Sequence, residues 1–495
     1  MRSKRVVVIG SGFGGLAAAI RLRTRGLEVH LFEARDQLGG CAYLYQQDGF
    51  KFDGGPTVIT APFLLEELFE GADRRSSDYM RLMPVDPFYR IEFHDGRWFE
   101  YGRDELATEE CVCRFSPDDL PGYRRMVQHA KAVFQKGFVE LADRPFLNLS
   151  DMVRIAPDLV RLQSYKTVYQ FAAGYVKDPM LRRVFSFHPL LVGGNPFQTT
   201  SIYALIHYLE RQWGVHYAIG GTGAIIEALG QLFRELGGHV HLSCPVKQIL
   251  LDDDGAAAGV ETVNGCKVMA DAVLSNADVA NTYRKLIPAA ARRKWTDRRL
   301  SKMRYSMSLF VIYFGTKSQY PGIKHHTIIL GERYRGLLDD IFRKKLLPPD
   351  FSLYLHRPSA TDASMAPEGC DCFYVLAPVP NQQSAIDWTK EAQPFRDAIM
   401  RYLDERYLPG LLDNLVTERL FTPLDFETTL DSYRGSAFSF EPIFRQSAWF
   451  RPHNESEDVP NLFFAGAGTH PGAGVPGVLS SAKIAEQLIC QRLLN

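Results

Sequence analysis

The unbroken β-branched run RVVVI at residues 5–9 is the pattern of a strand buried on both faces, and the small-residue stretch at 16–25 that follows has helical composition. Gly26 breaks this helix, and residues 27–33 alternate as a second strand. A parallel β-α-β unit is therefore predicted at the start of the chain. The same texture returns over 216–280, with a turn at Gly220-Gly221-Thr222-Gly223, a helix to Leu236, a turn at Gly237-Gly238, and short strands at Val240, 246–251, 258–263 and 272–274. It returns again from Leu462 as a strand, a glycine-rich turn and a helix over 478–494. Three distant segments, 1–75, 216–295 and 455–495, thus read as parts of one α/β nucleotide-binding domain of Rossmann-like type.

Two insertions of different character separate them. Residues 76–215 are helical from about 105, with Met152, Ile155, Leu159 and Leu162 on one face and Arg154, Arg161, Lys166, Arg182 and Arg183 around it. Residues 296–454 mix strands at 308–314, 352–356 and 372–376 with Pro-rich turns and a helix near 394–406. They predict an α+β substrate domain with a helical part.

Composition narrows the function. With 495 residues, 46% hydrophobic and 23% charged, the chain has the makeup of a multi-domain globular enzyme. Basic and acidic residues balance at 57 each, which removes the field that nucleic-acid binding needs. Eight scattered cysteines form no disulfide framework and fit a reducing compartment. The one-residue spacing of Cys111/Cys113 and Cys370/Cys372 is not that of a metal site, so no metal is expected. No run of 18 apolar residues spans a bilayer, and the glycines of 6–20 make a poor signal peptide.

The chemistry begins with Gly10-Ser11-Gly12-Phe13-Gly14-Gly15, set between strand and helix. Gly10 permits the tight turn, Gly12 lets backbone approach a pyrophosphate, and Gly15 lets helix and strand pack closely. Phe13 and Gly14 open the helix whose free N–H groups face the anion. Glu33, followed by Ala34, ends the second strand where a carboxylate accepts from a ribose diol. Gly39-Gly40 and Gly55-Pro56-Thr57 add bare backbone for a cofactor longer than NAD. At the other end, AGAGTHPGAGVPG places Gly466 and Gly468 after a strand, and Gly474, Val475 and Pro476 before a helix whose N-terminus suits an electron-rich ring carbonyl.

With both ends in hand, the sequence resembles the FAD-dependent amine oxidase superfamily, in the branch of the bacterial and fungal phytoene desaturases. The likeness runs through SGFGGLAAAIRL, GFKFDGGPTVIT, SFHPLLVGGNPF, SIYALIHYLER, WGVHYAIGGTGA, SNAD, SLFVIYFG, APEGC, YVLAPVP and AGTHPGAGVPG. Two positions depart from the family pattern: Cys41 stands where arginine is usual, and Gly54 where alanine is. The resemblance implies FAD as cofactor, with Val246 and Asn276 joining the glycine loops around it. It implies repeated two-electron dehydrogenation of an acyclic carotenoid, phytoene to lycopene, with hydride passing to the flavin and then to oxygen or a quinone. Asp151 and Arg154 match positions considered for acid-base roles, and Arg304 is a further polar candidate. An apolar tunnel is expected from Phe134, Phe138, Leu159, Phe171, Tyr175, Phe185, Leu190 and Leu191. Because the substrate lives in lipid, the helices of 105–215 are expected to dock on the membrane surface, placing the protein in the cytoplasm, peripheral on the inner face of the cell membrane. Alternatives are a carotenoid isomerase or end-group oxidase, an amine oxidase, and a non-enzymatic prenyl-binding escort protein of the same fold.

Overall fold

The computed structural model describes residues 3–494. Strand Arg5–Ile9, helix Phe13–Thr24 and strand Glu28–Phe32 form the predicted unit, and Val6 to Ile9 pair in parallel with Val29 to Phe32. The sheet has five parallel strands in the order Leu462–Phe464, Ala272–Ser275, Arg5–Ile9, Glu28–Phe32, His239–His241. All three expected segments therefore contribute to it. Helices Phe13–Thr24, Thr222–Glu235 and Val475–Leu493 cover one face around a core of Val6, Val8, Leu16, Leu229 and Ile484.

A second, seven-stranded sheet carries the rest, in the order Leu415–Phe421, Ser308–Thr316, Asp371–Val379, Leu353–His356, His326–Leu330, Tyr89–Phe93, Trp98–Tyr101. Its last two strands come from residues 76–104, ahead of the stretch expected to be helical. Tyr89–Phe93 pairs in parallel with His326–Leu330, a contact far along the chain that no local pattern announces. Helix Trp388–Arg406 starts earlier than its pattern suggests because Asp387 caps it, accepting from the Thr389 N–H at 3.1 Å. Glu105–Phe115, Leu120–Phe134, Leu149–Arg161 and Leu205–Trp213 are among the helices expected over 105–215. Hairpin Leu44–Gln47 and Phe50–Asp53 crosses from one sheet to the other, and Asp53 ends it against the start of helix Thr222–Glu235.

Candidate active site

One cavity of about 960 Å³ runs from the Gly10–Gly15 turn into a chamber between the seven-stranded sheet and the helices. Its nucleotide end is made of bare backbone. A Cβ on Gly12 would lie 2.9 Å from Asn276 Oδ1, one on Gly14 2.6 Å from Asn276 Nδ2, and one on Gly466 2.8 Å from the same nitrogen. Asn276 thus ties the first glycine loop to the last, donating to the Ala465 carbonyl at 2.8 Å.

Helices Phe13–Thr24 and Val475–Leu493 begin at Gly12 and Gly474 with no capping side chain and no acid in the first turn. Their free N–H groups and positive dipole ends are left for an anion or a ring carbonyl. Helix Thr222–Glu235 is the contrast, since Asp53 takes its first N–H at 2.6 Å. Glu33 is buried; one carboxylate oxygen accepts from the Ser11 N–H at 3.0 Å and from its hydroxyl, the other from the Arg35 N–H at 2.9 Å. Uncapped helix starts, a buried carboxylate and side-chain-free turns are the donor set that a dinucleotide requires. FAD fits here.

Every residue expected at the cofactor lines this cavity except Gly15: Gly10, Gly12, Phe13, Gly14, Glu33, Ala34, Gly39, Gly40, Gly55, Pro56, Thr57, Val246, Asn276, Gly466, Gly468, Gly474, Val475 and Pro476. Gly15 lies behind it, where a Cβ would come within 2.0 Å of the Gly10 carbonyl. The two departures also have physical readings. A Cβ on Gly54 would meet the Tyr43 carbonyl at 2.5 Å, so this hairpin is too tight for alanine. Beside Cys41, Arg35 lines the cavity, stacked 3.7 Å over the Tyr43 ring and donating to the Gly40 carbonyl at 3.2 Å. It supplies a cation next to the loop that lacks the usual arginine.

The chamber end is apolar, walled by Phe146, Ile155, Leu191, Leu205, Met307 and Leu330. Of the expected tunnel residues, Phe138, Leu159, Leu190 and Leu191 line it, whereas Phe134, Phe171 and Phe185 are packed into the cores and Tyr175 meets His129 outside it. His470 also lines the cavity; burial pushes its imidazole down to about 4, and Nε2 bonds the Leu141 carbonyl at 3.2 Å.

None of the three acid-base candidates reaches the cavity wall. Asp151 closes a capping box with Asn148, whose N–H donates to its carboxylate at 3.0 Å. Arg154 is exposed on the next turn. Arg304 pairs at 2.6 Å with Glu441, a carboxyl that burial raises to about 7. Their geometry carries helix capping and ion pairing, and the acid-base role expected of them is not supported by contact with the reacting space. Polar groups that do line it include Thr57, Asp53, Tyr354, Tyr374 and the buried Glu210, which accepts from the Tyr89 hydroxyl at 2.7 Å and pairs with Nε2 of His188 at 3.0 Å. Their sequence signal is polar residues at inward positions of otherwise apolar strands and helices, a pattern that marks burial without saying what is buried.

Such a site, two glycine loops tied by Asn276, a buried carboxylate and an apolar chamber, defines a flavin-dependent oxidoreductase. The chain belongs to the flavin-containing amine oxidoreductase family, whose model matches residues 13–490, and within it to the phytoene desaturases. It is 50% identical over 494 residues to the lycopene-forming phytoene desaturase of Pseudescherichia vulneris, covering 99% of this chain and 100% of the relative. Identity to the enzyme of the same description from Pantoea ananas is 49%, with coverage of 99% and 100%. Among solved structures, putrescine oxidase bound to putrescine superposes with a TM-score of 0.65 at 16% identity, covering 100% and 99% of the two chains. An oxidoreductase from Methanosarcina mazei gives 0.64 at 17%, covering 98% and 100%. These two report the fold alone. The cofactor of the family is flavin, and FAD is the form that the dinucleotide cradle accommodates.

Proposed function

We propose that the protein desaturates phytoene to lycopene by repeated two-electron dehydrogenation, the activity for which its relatives at about half identity are named. The observation that carries this reading is the continuity of one cavity from the dinucleotide loops into a chamber walled by hydrocarbon side chains. A polyene offers no polar handle, so binding comes from apolar burial, about 25 cal/mol per Å². Glu33, the Gly12 helix start and Asn276 would hold FAD, and the uncapped Gly474 helix start would offer N–H donors to its ring. Bound there, FAD supplies the hydride acceptor. The chamber would keep water from the carbon skeleton held in it. Oxygen or a quinone serves as final electron acceptor. Anaerobic mixing of purified holoprotein with phytoene tests the reading: the flavin absorbance bleaches if phytoene is the donor, and a persistently yellow mixture contradicts it.

The protein works as a peripheral protein on the inner face of the cell membrane. No helix among the described residues is long and apolar enough to cross a membrane. Helix Leu149–Arg161 instead has two apolar sides. Met152, Ile155 and Leu159 line the cavity, while Leu149, Val153 and Val160 face outward, the valines 68% and 65% exposed. Phe444 both lines the cavity and is 44% exposed, so the chamber reaches the surface beside this helix. An apolar stripe at the mouth of a hydrocarbon chamber is what uptake from lipid requires. Flotation with liposomes should survive high salt, and Val153→Asp with Val160→Asp should weaken it at least about tenfold, since each buried valine contributes about 1.5 kcal/mol or more. Binding lost at high ionic strength would move the anchor to Arg154, Arg161 and Lys166.

Asp151→Asn is expected to leave turnover and melting temperature almost unchanged, because asparagine still offers its amide oxygen to the Asn148 N–H. Phytoene-dependent bleaching of the variant against wild type checks this, and a hundredfold loss would return Asp151 to the chemistry.

A further inference from the structure

Behind the cavity wall lies a cluster of three buried histidines, His325, His326 and His356, whose ring nitrogens lie within 4.8 Å of one another. The Nε2 atom of each lacks a hydrogen-bond partner. Buried polar atoms left this way are costly unless function retains them. The cluster is wired to the reacting space. Thr57, next to the turn at the flavin site, exchanges hydrogen bonds with the Tyr374 hydroxyl at 2.7 Å and the Tyr354 hydroxyl at 3.1 Å. All three hydroxyl-bearing residues line the cavity. Tyr354 meets Nδ1 of His326 at 2.6 Å, that nitrogen lies 3.4 Å from Nδ1 of His356, and Nε2 of His356 lies 3.7 Å from the Asp53 carboxylate.

We propose that Tyr354, His326, His356 and Asp53 form the relay that accepts the proton released in each desaturation. This rests on the dehydrogenation reading above. In one step, a hydride leaves one substrate carbon for the flavin with its electron pair. The neighbouring carbon gives its proton to the Tyr354 oxygen as the phenol proton passes to Nδ1 of His326. The electron pair of that C–H bond becomes the new π bond. The charge now on the imidazole faces Asp53 through His356, so it is compensated inside a dry wall.

The surroundings suit a base that starts neutral. Desolvation, with the neighbouring imidazoles adding to it, pushes His325 and His326 well below the usual histidine range. His356 is lowered by burial too, though Asp53 opposes this. The adjacent strand Asp371–Val379 presents Tyr374 and Asp371, the latter neutralised by Arg357 at 2.8 Å. Strand Tyr89–Phe93 brings Tyr89, bonded to Glu210, and strand Val215–Ala218 brings Tyr217, bonded to Asp53 at 3.1 Å. Loop residue Asp362 is held by the Gly220 N–H at 2.6 Å. Asp53 is the carboxylate nearest the cluster that no cation neutralises.

Two variants of the holoprotein test the relay. Tyr354→Phe keeps the ring and cuts the first link, and His326→Gln removes the acceptor. Both should slow anaerobic bleaching by phytoene about a hundredfold or more. A second reading needs no substrate: the pH dependence of the flavin midpoint potential counts protons taken up per flavin reduced, and His326→Gln should lower that count by one. Wild-type bleaching in both variants with an unchanged proton count would overturn the relay and leave the cluster as packing. One tightly bound transition metal per chain, lost in His326→Gln, would overturn it in favour of a metal site. If His326→Gln fails to fold, Tyr354→Phe decides alone, by bleaching rate and proton count. Wild-type protein that phytoene cannot bleach would sink the dehydrogenation reading, while the proton count would still answer for the histidines.

Discussion

Purified Gly12→Val protein is expected to hold much less flavin than wild type, with its fold intact. The backbone at Gly12, with φ −63°, suits any residue, so the change acts through bulk and not through strain. Its Cβ would stand 2.9 Å from Asn276 Oδ1, and Asn276 is held by its bond to the Ala465 carbonyl. The valine methyls therefore fill the space that the pyrophosphate must approach, at the helix start that attracts it. Overpacking of this kind costs about 1–3 kcal/mol, roughly a fivefold to 150-fold loss of FAD affinity. Flavin released on denaturation, measured against protein concentration, gives the result. Full flavin content would move the phosphate loop elsewhere.

Gly15→Ala is expected to damage the fold itself. The added methyl would lie 2.0 Å from the Gly10 carbonyl, a backbone atom that cannot swing aside, where helix Phe13–Thr24 presses on strand Arg5–Ile9. The central strand and its helix must separate, at a cost of about 1–3 kcal/mol or more. Melting is best compared after removal of FAD, because bound cofactor stabilises whatever binds it. Flavin-free Gly15→Ala should melt about 1–3 °C or more below flavin-free wild type. Flavin-free Gly12→Val should melt closer to wild type than Gly15→Ala does, because its added Cβ meets a side chain, Asn276, and not backbone. Equal melting of all three would show that the two glycines do the same work.

That division between glycines was legible in the sequence because it is local: a β-branched run, a fixed glycine spacing and Glu33 at the end of the next strand lie within thirty residues. So was the assembly of one sheet from three segments, since each carries its own strand, turn and helix. What stayed hidden depends on contacts between distant segments. Strand Tyr89–Phe93 alternates as YRIEF, yet its neighbour His326–Leu330 is named by nothing nearby. Phe138 and Phe134 sit one helical turn apart and look alike, but one faces the cavity and the other the core, because both surroundings are apolar. Asp151 reads equally well as a base or a cap until its partner Asn148 and its distance from the wall are seen. The histidine cluster needs two strands brought into register, His326 opposite His356, before the adjacent pair His325-His326 and the distant His356 become one group.

The pigment made from phytoene tests the proposed activity most directly. Cells that synthesise phytoene, but contain no other desaturase, should turn red when they express the protein. The absorption maxima of the extracted pigment count its conjugated double bonds, and they should be those of lycopene. Extracts that hold only unchanged, colourless phytoene, beside a protein that retains its FAD, would contradict it.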